Sequence, residues 1–134
     1  ALGHPNFKIE DGTMEFGVGH HGEAGTKVEE LRSASEIAQE MAETILNDFN
    51  FEEGKEVAVM LSGLGATPVM ELHVLYDEVE KVLAKAGHKV WKTYIGNYVT
   101  SLDMNGASLT IVDLDDEIKE LLLEPATPIG MKNY

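Results

Sequence analysis

Two adjacent histidines, His20 and His21, lie in the stretch EFGVGHHGEAG, which also contains four glycines and a carboxylate that follows the histidines. An imidazole ring titrates near neutral pH, and its neutral nitrogen can act as a nucleophile or as a metal ligand. The neighbouring glycines leave such a ring accessible. This stretch is therefore the first candidate for a chemical site in the sequence.

The residue types alone leave three interpretations of this stretch open. The histidines can be solvated residues of a surface turn, or one of them can be functional. A weak metal site would require His20, His21 and Glu23 to bind one ion, although adjacent side chains usually point in different directions. The remaining histidines are expected to be solvated: His4, His73 and His88.

Two further stretches combine glycines with polar residues. SGLGATP leads from a predicted strand to a helix N-terminus, where free N–H groups can hold an anion. It lacks the third glycine of a dinucleotide fingerprint and the lysine of a P-loop. A tight connection is therefore the favoured interpretation, in which Gly63 and Gly65 shape the fold. IGNYVTSLDMNG is rich in turn-forming residues and is predicted to be the crossover between two strands.

Hydrophobic periodicity predicts the elements that position these stretches. Alternation over Thr13–Gly19 predicts a half-buried strand. Apolar residues recur at helical spacing from Ser33 to Phe49, and Ser33 with Glu36 forms a capping box. The continuous apolar run EVAVMLSG, residues 56–63, is typical of a strand that is covered on both faces.

The second half of the chain continues the alternation of strands and helices. Thr67 as N-cap and Pro68 as first helical residue begin a predicted helix that ends at Gly87. Residues 89–98 and 107–114 are predicted strands. Asp115 and Asp116 supply negative charge at the start of a last predicted helix, which Pro125 ends. The order β-α-β-α-β-β-α indicates an α/β fold with a mixed β-sheet covered by helices.

Length and charge limit the classes of function. A chain of 134 residues suits one domain, residues 1–134, and its 24 acidic against 10 basic residues give a net charge of -14. Nucleic-acid binding is not expected, because it depends on concentrated positive charge. No apolar run is long enough for a membrane span, no signal segment is recognised and no cysteine is present, so a cytoplasmic location is the simplest expectation.

Three blocks of the sequence together resemble one known family. MEFGVGHHGEAG, SGLGATPVMEL and GNYVTSLDMNGASLTIVDLDDEI, in this order, are similar to the C-terminal domain of the substrate-binding subunit of dihydroxyacetone kinases. The resemblance covers nearly the whole chain. In that family a larger N-terminal domain precedes this one, so we expect that the chain is the second part of a longer subunit.

The resemblance implies a role for the histidine stretch. In the family, the histidine directly before Gly-Glu attacks the carbonyl carbon of dihydroxyacetone and forms a reversible hemiaminal, and by position this residue is His21. Gly19 and Gly22 would let the ketose approach the ring, and Glu23 would restrain the loop or orient the ring. His20 occupies a place where the family commonly carries an aliphatic residue.

The resemblance also implies the partners of the domain. The acid and base residues of the family lie in the N-terminal domain, so the isolated domain is expected to be inactive. No cofactor is expected in this domain, because ATP, or ADP recharged by the phosphotransferase pathway, is carried with Mg by a separate subunit or domain. Such subunits generally form homodimers. The alternative within the family is a ketose-binding co-activator or regulator that transfers no phosphate.

Overall fold

The computed structural model describes residues 3–4 and 8–131 of the chain. It divides the chain into two compact units, residues 1–33 and residues 34–134, and each is described by itself. The first unit carries the histidine stretch, and the second carries the other two glycine-bearing stretches. The assignment of all 134 residues to one domain stays a prediction.

The first unit is built around a β-hairpin. Strand β1 (Thr13–Phe16) pairs with strand β2 (Lys27–Glu30) in antiparallel orientation, and Phe16 lies opposite Lys27. The sequence predicted β1 but not β2. The four residues of β2, KVEE, contain one apolar residue among charged ones, so they lack the alternation that marks a half-buried strand.

A three-stranded sheet forms the centre of the second unit, and it is mixed, as predicted; the predicted first strand belongs to the separate two-stranded sheet instead. Strand β3 (Glu56–Gly63) lies in the middle, parallel to β4 (Lys89–Gly96) on one side and antiparallel to β5 (Ala107–Asp113) on the other. The apolar run of β3 agrees with this position, because most of its residues are buried along both faces of the sheet.

Two long helices cover one face of this sheet. Helix α1 (Ala34–Asp48) and helix α2 (Val69–Lys85) pack against alternate residues of β3. The core cluster combines residues from all three elements: Ala38, Val57, Val59, Val79 and Leu83. In the described part of the chain, no helix combines the length and the apolar character that crossing a membrane requires.

Helix α3 (Asp116–Leu123) lies against the opposite face of the sheet, where its contacts include two polar ones. Its Lys119 Nζ lies 2.8 Å from an oxygen of Glu56, and Lys92 donates to the carbonyl oxygen of Leu122 at 2.8 Å. None of its own residues is buried. The predicted start is confirmed, because Asp115 Oδ1 accepts the N–H of Ile118 at 2.7 Å.

Of the two predicted ends of α2, the start was wrong and the stop is confirmed. The predicted N-cap was wrong, since Pro68 occupies that position and makes no side-chain capping bond. The predicted stop at Gly87 is confirmed, because this glycine has a φ of 88° and its N–H reaches the carbonyl of Ala84. The N–H of His88 reaches the carbonyl of Leu83 at 2.9 Å, which completes a Schellman motif.

This helix end also explains why the expectation for His88 was wrong. The chain turns back at Gly87, so His88 is only 8% exposed and its ring lies 5.6 Å from that of Phe51. Its Nδ1 is buried and has no hydrogen-bond partner among the described residues. His4 and His73 are exposed, as expected.

Candidate functional site

The histidine stretch forms the loop that joins β1 and β2. The predicted strand over Thr13–Gly19 is too long, because β1 ends at Phe16 and Gly17 adopts a φ of 78° that few other residues tolerate. The chain therefore leaves the hairpin before the histidines and returns to it at Lys27. The histidines lie on a loop and not on a strand.

Backbone and carboxylate contacts close the base of this loop. The N–H of Thr26 donates to the carbonyl of Phe16 at 2.7 Å, and the N–H of Gly25 donates to Glu15 Oε1 at 2.7 Å. Glu15 was not among the site residues predicted from the sequence. Two features of the sequence could have indicated this residue. It is a carboxylate near the end of a strand, and ten residues later comes a glycine whose bare backbone lets the side chain approach.

At the tip of the loop, Glu23 folds back onto His21. Its Oε2 accepts the backbone N–H of His21 at 3.0 Å, and its Oε1 lies 3.6 Å from His21 Nδ1. The second distance is too long for a hydrogen bond, and the contact is an ion pair only when the ring is protonated. The His21 side chain is 91% exposed. The loop therefore presents this ring to solvent with one nitrogen facing a carboxylate.

The structure of the loop explains why two positions at its tip are glycines. A Cβ on Gly19 would contact the carboxylate of Glu23, so only glycine lets that side chain fold over the loop. Gly22 has a φ of 89° and open space around it, so its requirement is the left-handed backbone. The expectation that these glycines clear a path for a ketose stays a prediction.

His20 is exposed and makes no hydrogen bond or ion pair with any described residue. Among the described residues, no group of three histidine, aspartate or glutamate side chains is arranged to hold a metal ion. Of the sequence-predicted site residues, the structure therefore brings His21 and Glu23 together and leaves His20 outside this contact.

The other two glycine-bearing stretches pack against each other at the carboxyl ends of β3 and β4. A Cβ on Gly63 would contact Asn97, and a Cβ on Gly65 would contact the carbonyl of Leu102. The N–H of Ser101 donates to the carbonyl of Leu64 at 2.7 Å. This supports the interpretation that Gly63 and Gly65 shape the fold.

Two hydroxyl groups form further hydrogen bonds between these stretches. Thr67 Oγ1 donates to the carbonyl of Gly106 at 2.7 Å and accepts the N–H of the same residue at 2.8 Å. Ser62 Oγ, which is buried, accepts the N–H groups of Tyr98 and Val99, each at 3.0 Å. Thr67 therefore connects the two stretches by hydrogen bonds and is not the predicted helix N-cap.

Comparisons of the sequence with a family model and with known proteins match it to one group of kinases and their subunits. The family model of the Dak1 domain matches residues 1–130. The dihydroxyacetone-binding subunit DhaK of PTS-dependent dihydroxyacetone kinase 1 from Listeria innocua is 41% identical over 116 residues, which cover 87% of this chain and 35% of that protein. D-erythrulose kinase from Mycolicibacterium smegmatis is 38% identical over 130 residues, which cover 96% of this chain and 22% of that protein.

Solved structures agree with the fold. The dihydroxyacetone kinase operon co-activator Dha-DhaQ superimposes with a TM-score of 0.84 at 30% identity, over 91% of this chain and 38% of that one. The chain spans about a third of the DhaK subunit's length and less of the erythrulose kinase. Because the family model matches almost the whole sequence, the chain belongs to the Dak1 domain family.

Proposed function

We propose that this chain is the ketose-binding domain of a dihydroxyacetone-type kinase subunit and that His21 captures the ketose as a hemiaminal. The observation that carries the proposal is the exposed ring of His21 with its Nδ1 facing Glu23 at 3.6 Å. Such an arrangement leaves Nε2 directed away from the carboxylate and open to a small carbonyl compound. Family membership supports the same reading of the loop.

The capture step uses only groups of the loop and the ketose. The lone pair of Nε2 attacks the carbonyl carbon, so an N–C bond forms and the C=O π electrons move to oxygen. That oxygen takes up a proton, and the ring releases the proton of Nδ1, so ring and adduct end neutral. The carboxylate of Glu23 favours the tautomer that carries its proton on Nδ1, and it attracts the positive charge that develops during attack.

Covalent capture accounts for selectivity and for positioning. Glycerol resembles dihydroxyacetone in size but has no carbonyl group, so it cannot form the adduct. The bond also fixes the ketose so that one hydroxyl group faces the incoming phosphoryl group. Gly19 and Gly22 belong to the proposed substrate site because they shape the loop around His21.

The remaining machinery of the proposed kinase lies outside the chain. An N-terminal domain of the same subunit would supply the acid and base residues, and a nucleotide-carrying subunit or domain would hold ATP or ADP with Mg. The subunit would act in the cytoplasm as a homodimer. The isolated domain would bind no cofactor and would not transfer phosphate by itself.

A second candidate function is a co-activator that binds the ketose without phosphorylating it. The similarity to the co-activator Dha-DhaQ over 91% of the chain favours this candidate. Phosphoryl transfer to dihydroxyacetone, measured with the complete subunit and its nucleotide-carrying partner, distinguishes the two functions.

The capture of the ketose is tested by NMR with dihydroxyacetone labelled with ¹³C at its carbonyl carbon. In the complete subunit, we expect the carbonyl signal to give way to that of a tetrahedral carbon bonded to nitrogen. His21→Asn abolishes this signal, and His20→Asn, its matched control, retains it. A signal that persists in His21→Asn would overturn the assignment of the nucleophile.

The positioning role of Glu23 is tested by Glu23→Gln. The amide oxygen can still accept the N–H of His21, so this change removes mainly the charge near Nδ1. An exposed pair of this kind corresponds to about a two- to fivefold weaker ketose affinity. Glu30→Gln alters an exposed carboxylate of β2 and serves as control. Equal ketose affinity of the Glu23 variant and the parent would exclude the role.

A further inference from the structure

Strand β5 (Ala107–Asp113) lies at one edge of the central sheet. Its backbone pairs with β3 along one side, and no strand in the described part of the chain pairs with its other side. The N–H and C=O groups along such an edge form a template for a further strand. The edge contains no proline and no lysine or arginine, residues that commonly block this kind of pairing.

A groove of about 850 Å³ adjoins this edge. The end of α1 forms one wall, and residues 111–113 of β5 form the other. Its apolar lining includes Ile45, Phe49, Phe51 and Ile111. Phe49 is 56% exposed, and its ring lies 4.9 Å from that of Phe51. An exposed phenylalanine beside an unpaired strand leaves apolar surface that a partner can cover.

The charged residues that line the groove, Asp48 and Asp113, are both acidic, and its other polar residues are Thr44 and Asn47. Asp48 ends α1, whose last turn contains no basic residue, so its charge adds to the negative end of the helix dipole. Asp113 Oδ2 contacts Lys55 at 3.4 Å, but its Oδ1 is buried without a hydrogen-bond partner among the described residues. A cation that enters the groove would be attracted by the negative charges of Asp48 and Asp113.

We propose that the free edge of β5 and the adjoining groove bind an extended, basic segment of a partner protein as an additional strand. Backbone hydrogen bonds to β5 would hold the segment, as in other cases of strand addition. Alternate apolar side chains would contact Phe49 and Ile111. A lysine or arginine of the segment would lie close to Asp48 and Asp113.

Charge selects this occupant over a second copy of the chain. Each copy of the chain has two acidic residues at this groove, Asp48 and Asp113, so a contact between two such grooves would bring like charges together. The sequence of β5, ASLTIVD, supplies no lysine or arginine to a symmetry-related groove. A basic segment relieves the excess of negative charge, whereas a second β5 adds to it.

The proposal is tested with a synthetic nine-residue peptide that alternates threonine and valine and carries a lysine in place of its central valine. Calorimetry with the full chain measures the affinity, and hydrogen exchange reports protection of the amide groups of β5. We expect binding together with slower exchange in Thr110–Val112. A peptide with alternate N-methylated amides cannot form the ladder and should not bind.

Variants of the chain test the groove itself. Phe49→Ser is expected to weaken peptide binding about tenfold, because it removes the apolar wall. Val74→Ser changes a residue of α2 with the same 56% exposure and should leave binding unchanged. Asp48→Lys should weaken the lysine peptide more than its valine counterpart. If circular dichroism shows that the Phe49 variant is unfolded, the comparison of the lysine and valine peptides on the Asp48 variant decides the proposal.

Three results would overturn the proposal. The first is the absence of peptide binding at β5, and the second is equal affinity for the parent and the folded groove variants. The third is a concentration-dependent dimer of the parent chain in sedimentation analysis that Phe49→Ser disrupts. That dimer would assign the edge to a second copy of the chain.

Discussion

Ser62 offers a direct measure of how firmly the loop after β4 is held. Its side chain is 1% exposed, and its hydroxyl oxygen accepts two backbone N–H groups, from Tyr98 and Val99. Ser62→Ala removes this acceptor without adding volume. Both N–H groups then lose their partner, and a donor that stays unpaired away from water is costly.

The magnitude follows from the surroundings of the two donors. Val99 is 46% exposed, so its N–H can regain a hydrogen bond to water, whereas Tyr98 is half-buried and its N–H has less access. One unpaired donor costs about 1–3 kcal/mol, and a second that water partly satisfies adds less. We expect Ser62→Ala to lower the free energy of unfolding by about 2–3 kcal/mol.

Urea denaturation followed by circular dichroism measures this change, and Ser108→Ala provides the matched control. Ser108 lies opposite Ser62 in the register of β3 and β5, but its side chain bonds to no described residue. The control should lose less than about 1 kcal/mol. A Ser62 variant as stable as the Ser108 variant would refute the reasoning, since the two N–H groups would then not depend on the hydroxyl.

Two further predictions concern charge. Asp48→Asn should raise the free energy of unfolding by about 0.3–1 kcal/mol, because it removes a negative charge from the end of α1; a lower urea midpoint would contradict this. The contacts of Glu56 with Lys119, and then with Lys89, lower its pKa below the ordinary value of 4.5, so its stabilising contribution is present above that pH and is lost as pH falls through the folded-state value. Glu56→Gln should therefore be less stable than the parent at pH 7 and equally stable at pH 2, and a difference that persists at pH 2 would exclude this origin.

The sequence predicted those elements whose pattern is independent of their neighbours. Residues 57–61 of β3 are continuously apolar because both faces of the strand are covered, and Gly87 ends α2 because its left-handed backbone allows the turn. Strand β2 escaped prediction because its pairing with β1 is held by the backbone and not by apolar alternation. His88 is buried by the direction in which the chain leaves the helix, which no local pattern encodes.

The candidate site was predictable in residue type but not in geometry. His21 and Glu23 stood out as a nucleophile and a carboxylate two positions apart in a glycine-rich stretch. That Glu23 holds the backbone N–H of His21 depends on how the loop folds, and this in turn depends on the bare backbone of Gly19. Glycine spacing alone does not say whether a side chain of the loop or a ligand fills the space.

Helix α3 is attached to the sheet in a way that makes it sensitive to ionic strength. Its contacts with the sheet include that of Lys119 with Glu56 and the hydrogen bond from Lys92, and its apolar residues Ile118 and Leu122 are only half-buried. Leu114, which is 5% exposed, anchors the chain just before the helix. Concentrated salt screens the first contact. The segment after Leu114 should then open locally while the sheet stays folded, and proteolysis in concentrated salt should cut there first.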